Sequence, residues 1–155
     1  MQLINYLKLT FLISFFAVSC KNAPQKSGSS IDEKIFYLET TSCMGTCPVF
    51  TFTVLSNGVC SYNGTANVDK LGTYFGSLDS GQLADLKKEL SNSNFFNIDL
   101  KNDSLIKDLP TTYLYYNNGS REKKISYYHP KNKTVDGLVG FSYNLIKSIT
   151  WTKEN

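Results

Sequence analysis

The stretch Val49-Phe50-Thr51-Phe52-Thr53-Val54-Leu55 alternates apolar side chains with threonine, and Ser56-Asn57-Gly58 interrupts it before Val59-Cys60-Ser61-Tyr62. Period-two alternation is the mark of a strand with one buried face, and Asn-Gly between two such runs is a strong hairpin signal. The turn length then decides where every side chain points. A two-residue Asn57-Gly58 loop sets Val54 opposite Ser61. A three-residue Ser56-Asn57-Gly58 loop, with Gly58 left-handed in a bulge, sets Val54 opposite Cys60 and Phe52 opposite Tyr62. A one-residue slip turns a whole strand over, so the register that gathers Phe50, Phe52, Val54, Cys60 and Tyr62 on one face is the expected one. Cys60 is thereby predicted to be a buried core thiol.

The rest of the chain extends this sheet. Ile35–Thr41 is β-prone, and a further strand is predicted around Val68–Leu78, containing Tyr74 and Phe75. Asp79 or Ser80 should cap a helix over Gln82–Asn92, with Leu83, Leu86 and Leu90 along one face. Phe95, Phe96 and Ile98 pack beyond its end. A second hairpin is predicted from Thr111–Tyr116 and Glu122–Tyr128, turning at Asn117-Asn118-Gly119-Ser120. Thr134 is expected to cap a last helix, Val135–Ile149, and Trp151 to fasten the C-terminus. The order ββββ-α-ββ-α predicts an α+β fold, an antiparallel sheet of about six strands with two helices on one face.

The N-terminus sets the compartment. Lys8 precedes an apolar run from Leu9 to Val18, shorter than the ~20 residues that span a bilayer and of signal-peptide size. It ends in Ala17-Val18-Ser19-Cys20, which resembles a bacterial lipobox, the site at which a cysteine is acylated, with palmitate among the chains, and the signal is cut off in front of it. Several acyl chains anchor far better than one. Residues 1–19 are thus expected to be a lipoprotein signal peptide. Residues 20–32 follow as acylated Cys20 plus a Ser/Gly/Pro-rich tether, and residues 33–153 as a single globular domain. The stretch 21–30 has no acidic residue, which favours a periplasm-facing membrane over surface export. The sequence has 16 Lys+Arg against 13 Asp+Glu, and only one arginine, Arg121. Such a balance lacks the basic stripe of a nucleic-acid binder.

Removing Cys20 from the four cysteines leaves Cys43, Cys47 and Cys60. Outside the cytoplasm, close thiols tend to oxidise. Three residues separate Cys43 from Cys47, so a turn can bring their α-carbons within disulfide range, with Gly45 allowing the turn and Pro48 fixing the entry to the next strand. The preferred reading is a local staple. Two alternatives stand beside it. A redox pair needs a thiolate stabilised by a helix N-terminus, a cation or C-x-x-C spacing, whereas here the spacing is C-x-x-x-C and a strand follows. A zinc site would gather Cys43, Cys47 and Cys60 with the only histidine, His129, yet Cys60 is expected in the core and His129 comes from a distant hairpin end.

Other chemistry-bearing residues have plain explanations. His129-Pro130 suits a strand end. No serine sits in a nucleophile-elbow setting. Asp99, Asp103 and Asp108 flank a loop that lacks the calcium pattern with its distal glutamate, and Asp108 before Leu109-Pro110 can hold that turn. Tyr115-Tyr116 and Tyr127-Tyr128 put one ring on each sheet face. Outward rings that cluster would make a patch for a peptide or glycan, and otherwise they cover the sheet.

The run Cys43-x-Gly45-x-Cys47-Pro48-x-Phe50, with Asn57-Gly58-Val59, Tyr62 and Gly64 after it, resembles an uncharacterised domain family of bacterial lipoproteins. The likeness continues through Asp108-x-Pro110, the second hairpin and the final helix near Trp151, covering most of residues 35–151. The resemblance implies an envelope location and one α+β domain, and it brings no activity. Cys60 falls where the family pattern has no cysteine. These observations lead to a membrane-anchored envelope lipoprotein, a non-catalytic binding or structural module without cofactor or metal, whose partner would be a protein, peptide or glycan. The alternative is a thiol–disulfide or metal-dependent protein using Cys43 and Cys47.

Overall fold

The alternation in residues 49–62 becomes the spine of a seven-stranded antiparallel sheet. The computed structural model describes residues 32–100, 109–128 and 132–155. The strands are β1 (Lys34–Thr40), β2 (Val49–Leu55), β3 (Val59–Ala66), β4 (Gly72–Ser77), β5 (Thr112–Asn117), β6 (Glu122–Tyr127) and β7 (Thr152–Lys153). Among the described residues these are joined by two helices, α1 (Ser80–Asn92) and α2 (Lys133–Ser148), and a short 3-10 turn, Phe95–Asn97. The sheet order is β6-β5-β1-β2-β3-β4-β7, so the first strand lies inside the sheet, between β5 and β2. The expected α+β architecture is present. The seventh strand is the two-residue β7, which pairs with β4 through Tyr74 and Phe75.

The hairpin takes the three-residue turn. Val54 faces Cys60 and Phe52 faces Tyr62, Gly58 has φ +89°, and its N–H donates to the Leu55 carbonyl at 3.0 Å. Only glycine adopts that backbone without strain. The expected inward set, Phe50, Phe52, Val54, Cys60 and Tyr62, is buried. It meets Phe36 and Leu38 from β1, Leu114 from β5, Leu86 and Leu90 from α1, and Val135, Leu138 and Leu145 from α2 in one core. Both helices therefore lie on the same sheet face. Among the described residues, no helix is long and apolar enough to cross a membrane.

Boundary corrections have local causes. Asp79 caps α1: its carboxylate accepts from Gln82 N at 2.8 Å while Gln82 Oε1 accepts from Asp79 N at 3.0 Å, a reciprocal pair of the capping-box kind. Thr134 does not cap α2. The Asn132 side chain does, accepting from Thr134 N at 3.1 Å and Val135 N at 3.2 Å, since asparagine is the stronger N-cap of the two. The strand expected from Val68 begins only at Gly72, because Asn67 turns left-handed at φ 55° and takes the chain out of the ladder. Trp151 fastens the C-terminus as expected, its indole N–H donating to the Ile146 carbonyl at 2.8 Å.

Candidate functional site

Strand β1 ends at Thr40, whose buried hydroxyl donates to the Pro48 carbonyl at 2.7 Å and accepts from Phe50 N at 3.3 Å. On the other side, Thr41 N donates to the Thr111 carbonyl at 3.0 Å and Thr41 Oγ1 accepts from Thr111 N at 2.8 Å. The segment between Thr41 and Pro48 is thus a loop pinned at its base. A disulfide joins Cys43 to Cys47 with their α-carbons 5.8 Å apart. Met44 projects from its tip, 84% exposed. Gly45 is not in the left-handed region, and a Cβ there would meet nothing nearer than Cys43 Sγ at 3.7 Å. The turn therefore does not depend on glycine at 45. Pro48 leads straight into β2, so no helix N-terminus stands behind either sulfur to stabilise a thiolate.

The third cysteine is elsewhere. Cys60 lies opposite Val54, four residues along β2 from Phe50, or roughly 13 Å at the strand rise. It is 1% exposed, and burial pushes its thiol up to about 11 from an ordinary 9.0, a rise that a hydrogen bond from the Gly76 backbone opposes. The three sulfurs do not converge, and two are bonded to each other, so no three-thiolate metal site forms. Asp99 is exposed, and among the described residues no cluster of three His, Cys, Asp or Glu side chains could hold a metal. Cys20, Asp103, Asp108, His129 and Pro130 lie outside the described residues, while Pro110 is half-buried just ahead of β5.

A thiol titration checks this arrangement. In a Cys20→Ala chain, no thiol is expected to react at neutral pH under native conditions, one in denaturant, and three after reduction and denaturation. A fast native thiol would place Cys60 outside the core. The folded thiol is the weaker acid, so the stability gained by keeping it protonated is complete below about 9 and drains away as pH climbs through about 11.

Beside the disulfide loop is a cleft of about 280 Å³. Its floor is aromatic: Phe50 stacks on Tyr62 with ring centroids 5.3 Å apart, and Tyr143 from α2 meets Phe50 edge-on at 5.3 Å. One wall is the segment that leaves the sheet after β3, bringing Val68, Asp69 and Lys70. The other is α2, with Ile146 and Lys147, and Pro48 forms the lip. Asn67 holds the first wall to the loop, its side-chain amide donating to the Cys47 carbonyl at 3.0 Å. Gly64 makes the wall possible. A Cβ at that position would collide with the Lys70 carbonyl oxygen and lie 2.7 Å from Val68 Cγ2.

Burial pushes the Tyr62 hydroxyl up to about 12, helped by Tyr143, Asp69 and Tyr74, and burial raises Tyr143 as well. Both phenols are therefore neutral at physiological pH. A second cavity, of about 300 Å³, lies at the opposite end of β1, and the polar groups of Glu33, Ser56 and Asn117 there are already engaged. The Asn117 amide donates to Glu33 Oε1 at 2.7 Å, Asn117 Oδ1 accepts from Gly119 N at 2.7 Å, and Ser56 Oγ accepts from Glu33 N at 3.2 Å.

The tyrosine pairs divide as expected for β5. Tyr116 stacks inward on Phe96 at 5.2 Å, and Tyr115 faces outward beside Tyr37. The Tyr127 hydroxyl points to α2, donating to Asp136 Oδ1 at 2.8 Å. On the outer face, Lys34 Nζ lies 4.6 Å from the Tyr115 ring centroid and 5.4 Å from that of Tyr37, and Lys124 Nζ lies 4.4 Å from that of Tyr113. Glu39 and Glu122 accept from the Tyr37 and Tyr115 hydroxyls at 3.0 and 2.6 Å. With faces and hydroxyls engaged, these rings cover the sheet.

The cleft residues Asp69, Lys70, Tyr143 and Lys147 were not anticipated from the sequence. Asn67 and Gly64, either side of a break in the β pattern, were the available signal. No curated protein shows significant sequence similarity to the chain. A family described as a domain of unknown function (DUF6438) matches residues 34–148, most of the described structure, and the chain belongs to that family.

Proposed function

We propose that this protein is a membrane-anchored lipoprotein of the bacterial cell envelope whose domain is a non-catalytic binding or structural module. One observation carries the second half of that reading. The two cysteines that could do chemistry are bonded to each other in a loop pinned by Thr40 and Thr41, and that loop braces one wall of a cleft through the Asn67–Cys47 bond. The sulfur pair supports a wall and presents no nucleophile. The anchoring half rests on the apolar run Leu9–Val18 and Cys20 after Ala17-Val18-Ser19. A lipid at that position, followed by a tether of about a dozen residues, would keep the domain within a few nanometres of the membrane.

Membrane fractionation tests the anchor. The wild-type chain is expected in the membrane pellet, extractable by detergent and labelled by a palmitate analogue. Cys20→Ala is expected in the soluble fraction without label. A Cys20→Ala protein that still sediments with membranes refutes the lipid anchor.

A further inference from the structure

We infer that the cleft beside the disulfide loop binds a carboxylate carried on an apolar, residue-sized body, namely the terminal unit of an amino acid or of a peptide. The inference rests on the reading of the domain as a binding module and names the ligand class for it.

Apart from Asn67, the polar side chains that line the cleft make no hydrogen bond among the described residues and are open to an incoming group. The Tyr62 ring is buried and lines the cleft, while its hydroxyl makes no hydrogen bond among the described residues and, as no sealed side-chain polar atom there lacks a partner, is open to the cleft, where it senses the charge of Asp69. The Tyr143 hydroxyl is likewise without a hydrogen-bond partner among the described residues, and so are the charges of Asp69, Lys70 and Lys147, which line the same cleft. Two neutral phenol donors, two ammonium groups and one carboxylate converge on an aromatic floor.

That set selects a ligand. Two cations against one anion favour a single negative charge. A carboxylate takes two or three donors, which the phenols and a lysine provide, and bonds to a charged acceptor are the strong ones. Asp69 opposes a dianion such as phosphate and accepts instead from the amide N–H or ammonium next to a carboxylate. The Phe50 and Tyr62 rings, Val68 and Ile146 suit an apolar side chain. A volume of about 280 Å³ is at the lower limit for small-molecule sites, which restricts the ligand to one residue.

Trp151 is the only tryptophan and its ring centroid is 5.8 Å from that of Tyr62, so its fluorescence reports on the cleft. Backbone amide shifts of residues 66–70 and 143–147 give a second readout. With the full chain, N-acetyl-phenylalanine is expected to bind saturably and N-acetyl-phenylalaninamide at least about tenfold more weakly, the loss of one charge-assisted bond. Tyr62→Phe, which keeps the ring, and Lys147→Ala are each expected to weaken the acid about five- to tenfold and leave the amide unchanged. Free phenylalanine and Gly-Gly-Phe separate the two sources. Preference for free phenylalanine points to the free amino acid and preference for the tripeptide to a peptide C-terminus, both within the inferred class. If the amide binds as tightly as the acid, or phenyl phosphate binds more tightly, the cleft is a binding site of another class and the carboxylate inference fails. If none of the probes moves either readout at millimolar concentration, the binding reading falls as well and the structural one remains.

Discussion

Gly64→Ala is expected to cost about 3 kcal/mol, the upper end for overpacking a well-filled site. The added methyl would fall on the Lys70 carbonyl oxygen, with Val68 Cγ2 2.7 Å away. A backbone oxygen cannot rotate aside as a flexible side chain can, so the segment between Asn67 and Lys70 must lift. That movement strains the Asn67–Cys47 hydrogen bond and opens the cleft. The comparison is Gly140→Ala in the middle of α2, where a Cβ meets nothing within 4 Å. There the helix should gain about 0.5–1 kcal/mol from the lost freedom of the unfolded chain. Denaturant midpoints of the two variants should therefore move in opposite directions. A Gly64→Ala midpoint equal to wild type would mean that this wall is not seated on β3.

Phe52→Ala should be more damaging still, at about 3–5 kcal/mol, the usual cost of deleting a buried aromatic ring. Phe52 is fully buried and meets Phe36 and Trp151 edge-on, with centroids 6.2 and 6.1 Å away. Its loss removes the surface against which β1 and the C-terminal segment both rest. A typical domain has about 5–15 kcal/mol in hand, so this one truncation brings the fold close to its limit. Thr53→Ala, one residue along and on the outer face, should change stability by no more than about 0.5 kcal/mol. Chemical denaturation of the pair reads the asymmetry directly, and comparable losses would contradict the assignment of the two sheet faces.

That asymmetry was legible in the sequence because it is local. Alternation in residues 49–55 and the Asn57-Gly58 signal set strand, turn and register together, and from them followed the burial of Cys60. The helices declared themselves by their apolar stripes. What escaped was decided by single residues or by distance. Thr134 looked like a cap until Asn132 made the same bonds from nearer the chain's entry. Thr152 and Lys153 form too short a strand to show any period. The cleft is the clearest case. Tyr62 and Tyr143 are far apart in the chain and resemble ordinary core aromatics, and Asp69, Lys70 and Lys147 resemble ordinary surface charges. Only the sheet and α2 bring them to one cleft, where their polar ends make no hydrogen bond among the described residues.

The interior place of β1 has a mechanical consequence. The chain enters the sheet at Lys34, and β1 runs for about 20 Å to Thr40, which holds Pro48 at the lip of the cleft. In a protein anchored at its N-terminus and holding a ligand in that cleft, tension between the two passes lengthwise through β1. Antiparallel ladder bonds lie across the strands, and β1 carries such ladders on both sides, to β2 and to β5. Lengthwise pull must shear the two ladders together, whereas the edge strand β6 could be peeled away one bond at a time. The first strand made is thus the one best placed to bear load.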